Sequence, residues 1–219
     1  MPTPPQFTVH FEEQKFYHVI CKSIGNQLIF FDDNDRYDFL KKYQRFLGEF
    51  VDTFSYNLLD NHVHWVLKMK SETEIFSLLT TFHKKDLTIT QKKYLGGECT
   101  FHEVIKQQFS RFFISYTRTF NTIHNRKGHL FNRPFTRINV DDEGHLIRLF
   151  VYVHANTLKH GFFKDFVNYK WSSYQLIIGN TKTFVCKERV LTLFDGTKKF
   201  INIHLSMSEI YEKHELSGE

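Results

Sequence analysis

The chain has 219 residues, enough for one domain of ordinary size and short for two independent cores. Hydrophobic residues make up 41% and aromatics 17%, with 25 Phe, which supplies a dry core and excludes a disordered chain. The net charge of +5 is unevenly spread: between Phe82 and Arg137 eleven Lys and Arg stand against three acids, a net +8 that leans towards a polyanionic partner and leaves the rest slightly acidic. The cysteines Cys21, Cys99 and Cys186 form no C-x-x-C and leave one unpaired in any disulfide scheme, which fits a reducing cytoplasm. Met1-Pro2-Thr3-Pro4-Pro5 lacks the basic and apolar regions of a signal peptide, and no stretch approaches the roughly 20 apolar residues that span a bilayer. The expectation is a soluble, cytoplasmic protein with no membrane partner.

In chain order, residues 1–15 read as a mobile arm, and Phe16 to Cys21 as a first strand. Gly25-Asn26 marks a turn, Leu28 to Phe31 a short apolar run, and Asp32 or Asp33 the cap of a helix with Phe39, Leu40, Tyr43, Phe46, Leu47 and Phe50 at helical spacing. A hairpin-like pair follows, Phe54 to Leu59 and His62 to Met69, broken at Asp60-Asn61. Strand alternation puts Val63, Trp65, Leu67 and Met69 on one face and His62, His64, Val66 and Lys68 on the other, so one face is core and the other carries the histidines. Ser71 and Glu74 form the capping box of a helix to Phe82, and a second helix runs from about Glu103 to His124. Between them, 84–97 is polar, basic and read as a mobile linker. Phe135 to Val140 is a strand, and Asp141-Asp142 starts a helix reaching about Asn156. The order is an α+β pattern rather than repeated βαβ units.

His62 and His64 project from one strand face about 6 to 7 Å apart by strand rise, a spacing that can chelate a divalent cation. Tyr152 and Asn156 stand four apart on the late helix, with His145, Arg148 and Lys159 within about 40° of the same direction. A tyrosine flanked by Arg148 and Lys159 can meet a phosphate whose charge those cations offset. Tyr116 is the main rival among ten tyrosines, but Phe120 stands at its i+4, and packing or base stacking suits it better. Arg111 and Arg118, seven apart, share a face of the long helix among aromatic residues.

Asn61-His62-Val63-His64-Trp65 after an apolar strand resembles the signature of HUH-class single-tyrosine transposases, of the REP-associated and insertion-sequence type. Gly128-His129-Leu130-Phe131-Asn132-Arg133-Pro134-Phe135, Tyr152 to Gly161, and Trp171-Ser172-Ser173-Tyr174 resemble further blocks of the REP-associated branch, in the same order. Two departures stand out: Thr157 where the family usually has Pro, and Asp60 where it often has Pro. The resemblance implies a ferredoxin-like antiparallel sheet with helices packed on it over residues 1–175, and a C-terminal extension, 176–219. It implies Tyr152 as nucleophile, and His62, His64 and Asn156 as ligands of Mg²⁺ or Mn²⁺. It implies single-stranded DNA with hairpins as substrate, bound through Arg111, Arg118, Arg126, Lys127, Arg133, Arg137, Arg148 and Lys159, by a monomer or homodimer. Two readings from other classes share these residues: a hairpin-DNA-binding protein without catalysis, and a phosphodiesterase that uses water and leaves Tyr152 dispensable. In the extension, Thr183 to Cys186 and the apolar positions 190–194 suggest a small ordered appendage, followed by a short helix from Ser206 to Lys213.

Overall fold

Strong capping residues start the helices. Asp32 accepts from the Asp35 N–H and opens α1 (Asp33–Leu47); capping boxes of Ser71 with Glu74, Thr88 with Gln91 and Thr100 with Glu103 open α2 (Glu72–Thr81), α3 (Ile89–Leu95) and α4 (Phe101–Ile123). The strands are β1 (Phe16–Lys22), β2 (Val51–Leu59), β3 (His62–Met69) and β4 (Thr136–Val140), and α5 (Glu143–Lys159), α6 (Tyr174–Ile178), α7 (Lys187–Leu193) and α8 (Thr197–Ser217) complete the chain. The structure is a computed structural model and describes residues 8–159 and 165–217, without the side chains of 159 and 209–217. Among the described residues no helix is long and apolar enough to cross a membrane.

The four strands pair antiparallel in the order β2-β3-β1-β4, the ferredoxin-like order, with α1 crossing from β1 to β2 and the α2–α4 segment from β3 to β4. Register assigns the faces. Val19 pairs with Trp65 and Tyr56 with Trp65, so these residues share the face on which Phe39 and Tyr43 of α1 and Phe112 of α4 stack against the Trp65 indole. His18 pairs with Val66, Ile20 with His64, and Asn57 with His64, which puts His18, Asn57 and His64 together on the opposite face. That face is covered by α5, so His62 and His64 are buried rather than merely turned from the core.

Several loop expectations are corrected by the packing. The basic segment 84–97 holds α3, whose Gln91 is buried, together with the buried Leu87. From Thr8 the N-terminal arm is packed: Phe11 stacks on Phe109, its N–H donates to His102 Nδ1, and Tyr17 Oη donates to the His10 carbonyl. Residues 1–7 lie outside the described residues. The C-terminal helix is far longer than Ser206 to Lys213 and packs along α5. Val185, Val190, Phe194 and Phe200 join the same core as the sheet, and the Cys186 N–H donates to the Thr53 carbonyl of β2.

Candidate active site

The face of the sheet beneath α5 is polar where a core would be apolar. Asn57 of β2 donates to the carbonyls of Val153 (2.7 Å) and His154 (3.3 Å), gripping the α5 backbone in mid-helix. The side chain of the same His154 is enclosed by Ser55 (3.0 Å), Ser173 (2.8 Å) and His204 of α8 (2.9 Å). His204 Nδ1 donates to the Phe200 carbonyl, so its Nε2 accepts from His154 Nδ1, and His154 Nε2 accepts from a serine hydroxyl. Burial holds both imidazoles well below their ordinary range, and both are neutral; that of His204 is lowered to about 4. This polar seam fixes which face of α5 meets the strands.

The residues facing the strands are Tyr152 and Asn156. The Tyr152 ring stands edge-on to His64 (centroids 5.7 Å, 84°) and to His18 (5.9 Å, 81°). Asn156 Oδ1 lies 3.4 Å from His62 Nε2. Asn61 Oδ1 accepts from His62 Nδ1 at 2.6 Å, so the proton of this imidazole sits on Nδ1 and Nε2 carries a lone pair. A lone pair therefore faces an amide oxygen. A cation between them satisfies both; in the metal-free protein a turn of the amide does so by presenting Nδ2, which is buried without a partner. Two imidazoles and an amide oxygen are a donor set that accommodates Mg²⁺ or Mn²⁺, with the amide as the hard oxygen ligand. Among the described residues no three His, Cys, Asp or Glu side chains converge on one point.

His18 went unnoticed at the sequence level. Its Nε2 lies 2.9 Å from His64 Nδ1, and burial, reinforced by the charge of His145, lowers its pKa to about 3, so it is neutral. With the proton on His64 Nδ1, His18 accepts, and His64 turns the lone pair of Nε2 towards the site. Alternation along β1 already puts His18 opposite the buried Tyr17, Val19 and Cys21; only the register with β3 brings it to His64.

No family model matches the chain, and no curated protein matches it. Among solved structures, one described as the structure of a REP-associated tyrosine transposase bound to a REP hairpin aligns with a TM-score of 0.48 and 11% identity, over 78% of this chain and 84% of that one.

The cationic residues singled out in the sequence divide among several places. Arg148 is exposed on the first half of α5, 3.7 Å from Asp142. Lys127 and Arg133 are exposed on the segment between α4 and β4, which is tied to the end of β1 by Asn132 N–H to the Lys22 carbonyl and Asn132 Nδ2 to the Ser23 carbonyl. Lys22 pairs with His62, so this segment borders the histidine end of the sheet. Arg126 braces the same segment through Asn121 and the His129 carbonyl. Arg111 and Arg118 lie on α4, across the sheet from Tyr152. The side chain of Lys159 lies outside those described.

Arg137 corrects the sequence expectation. It is 5% exposed, and its guanidinium donates to the carbonyls of Thr8 (2.9 Å) and Val9 (2.6 Å), fastening the N-terminal arm rather than facing solvent. Tyr116, the rival nucleophile, is buried on the α1–α4 side with its hydroxyl on the Ile29 carbonyl, and burial raises its pKa far above the phenol range. It is a core residue.

Proposed function

We propose that the chain is a metal-dependent enzyme that cuts and rejoins single-stranded DNA through Tyr152. The observation that carries this reading is the meeting, beneath α5, of a partly buried tyrosine with His64 and of Asn156 with His62, a pair 94 positions apart in sequence. A core helix has no need of three imidazoles, a phenol and an amide on one contact face, since each buried polar group costs free energy unless it is satisfied. Together with the ordered motif blocks, this convergence favours the single-tyrosine transposase reading.

In the proposed reaction Tyr152 Oη attacks the scissile phosphorus. The Oη–P bond forms, the bond from phosphorus to the 3′ oxygen breaks, and that oxygen leaves as a free 3′-hydroxyl after taking up a proton. The 5′ side stays on the enzyme as a phosphotyrosine ester, which another 3′-hydroxyl attacks to reverse the step on a new strand. His62, His64 and Asn156 would hold Mg²⁺ or Mn²⁺, which supplies Lewis-acid polarisation of the phosphate. His18 and Asn61 orient the two imidazoles, and the grip of Asn57 on the α5 carbonyls holds Tyr152 over them. The exposed Arg148, Lys127 and Arg133 offset phosphate charge at the borders of the site. A DNA strand with hairpins is the proposed partner.

The test is incubation with a hairpin-tailed oligonucleotide and Mn²⁺, followed by denaturing electrophoresis. The expected result is a covalent protein–DNA band that vanishes in Tyr152→Phe. Cleavage that survives this substitution selects a water-using phosphodiesterase, and binding without cleavage selects a non-catalytic hairpin-binding protein; either overturns the proposal.

A further inference from the structure

The arginines of this protein fall into two groups. Arg36, Arg148 and Arg189 pair with aspartates, and Arg126 and Arg137 spend their guanidiniums on carbonyl and amide oxygens. Among the described residues Arg45, Arg111, Arg118 and Arg133 have no carboxylate within ion-pair distance. Arg45 and Arg111 line two adjoining depressions between α1 and α4, the second of which reaches Arg118, on the face of the sheet away from Tyr152; Arg133 lines a third, on the other flank of α4. The second, walled by Arg45, Arg111 and Arg118 with the hydroxyls of Ser115 and Thr119, contains no acidic side chain and continues the first as one groove.

One end of this groove is a half-open hollow of about 210 Å³. The guanidiniums of Arg45 and Arg111 both lie against Phe46 there, 5.5 and 5.3 Å from its ring centroid, and no counter-charge relieves the pair. Burial and the charge of Arg45 both lower the pKa of Arg111. Gln108, 1% exposed, accepts from Arg111 through Oε1 while its Nε2 is buried with no partner. Glu49 and Asp86 stand on the rim, neither within ion-pair reach of the arginines. The partly buried Arg111 guanidinium, beside the exposed charge of Arg45 and the unsatisfied Gln108 amide donor, is costly in the free protein, and a tetrahedral oxyanion relieves both costs at once. Past Arg118 a separate depression lies between α4 and Gly128–Arg133, the segment tied to β1 beside His62.

We propose that this groove is a phosphodiester track: Arg45, Arg111 and Arg118, with the Gln108 amide at one end, hold successive backbone phosphates of a nucleic-acid strand on the side of the sheet opposite Tyr152. A single anion needs only the Gln108 end. From Gln108 to Arg118 the helix rises about 15 Å, long enough for successive phosphates in line, and the hydroxyls and arginine forks suit backbone rather than base contacts. The track ends at Arg118, which also borders the depression lined by Arg133. The inference rests on the proposed DNA substrate, but binding can be measured without cleavage.

The experiment is fluorescence anisotropy of a labelled hairpin-tailed oligonucleotide in EDTA, over roughly 50 to 200 mM salt. Arg45→Ala/Arg111→Ala is expected to bind about 10- to 100-fold more weakly, with the slope of log affinity against log salt shallower by about two. Arg45→Lys/Arg111→Lys, which keeps the charges, is expected to retain the slope, and Lys182→Ala/Lys198→Ala, two exposed cations elsewhere, to stay near wild type. Unchanged affinity and slope in the alanine variant overturn the track. So does a hollow that is stabilised by inorganic phosphate while DNA binding ignores these arginines. If the track fails while a Tyr152 adduct still forms, the catalytic reading stands alone; if binding follows the arginines and no adduct forms, the catalytic reading fails instead.

Discussion

Acidification should loosen α8 from the helix that carries Tyr152, and the buried His154–His204 pair sets the size of the effect. The folded protein holds His204 at about 4 against 6.5 in the unfolded chain. Above about pH 7 both states are neutral there and the pair contributes no pH dependence. As pH falls below 6.5 the unfolded chain takes up a proton that the folded state refuses until about 4, so stability drops through this window and levels off beneath it. The full gap is worth about 3 kcal/mol, of which about 2 kcal/mol is lost by about pH 4.5. His154, also held well below its ordinary value by burial, acts in the same direction. The measurement is urea unfolding followed by tryptophan fluorescence at about pH 7 and about pH 4.5, for wild type and His204→Phe. The variant leaves the His154 Nδ1–H without its acceptor and starts about 1 to 3 kcal/mol less stable, but it loses about 2 kcal/mol less than wild type between the two pH values. Equal losses in the two proteins would refute the reasoning.

Three further outcomes are expected. His18→Leu should weaken Mn²⁺ binding about 10- to 100-fold by calorimetry while His18→Gln, which can still hydrogen-bond His64, recovers most of it; equal affinities would remove His18 from the site. Asn156→Asp should bind Mn²⁺ more tightly yet lower the melting temperature of the metal-free protein, because a buried carboxylate replaces a neutral amide; a melting temperature that does not fall would count against the buried placement of this side chain. Arg137→Ala should cost about 2 to 3 kcal/mol in denaturant unfolding by releasing the arm at Thr8 and Val9, while DNA affinity per folded molecule stays at the wild-type value; a specific loss of DNA affinity would return Arg137 to the binding surface.

Much of the chain's local design is written in short stretches. Ser71 with Glu74 and Thr100 with Glu103 announce helix starts, because a capping side chain and the N–H it satisfies lie within four residues of each other. The period of two in β3 put His62 and His64 on one face, and the period of 3.6 in α5 aligned Tyr152 with Asn156; both follow from backbone geometry alone. Other features were illegible for the same reason. Alternation placed His18 on a face but not opposite β3, since register is chosen by pairing between distant strands. A basic count over 82–137 could not separate Arg137, consumed by the carbonyls of the arm, from Arg111 and Arg118, which carry no counter-charge. The stretch 84–97 looked like linker because its charges face solvent, while Leu87, Gln91, Tyr94 and Leu95 turn inward.

What the sequence determined by itself, then, was the inventory: which elements form, which face each polar side chain takes, and which residue types each face carries. Tertiary structure decided which faces meet. The Asn57 and His154 bonds turn the Tyr152–Asn156 face of α5 onto the histidines, and the docking of α8 holds it there, because the pairing of buried polar groups across the core is a long-range requirement that no local pattern encodes.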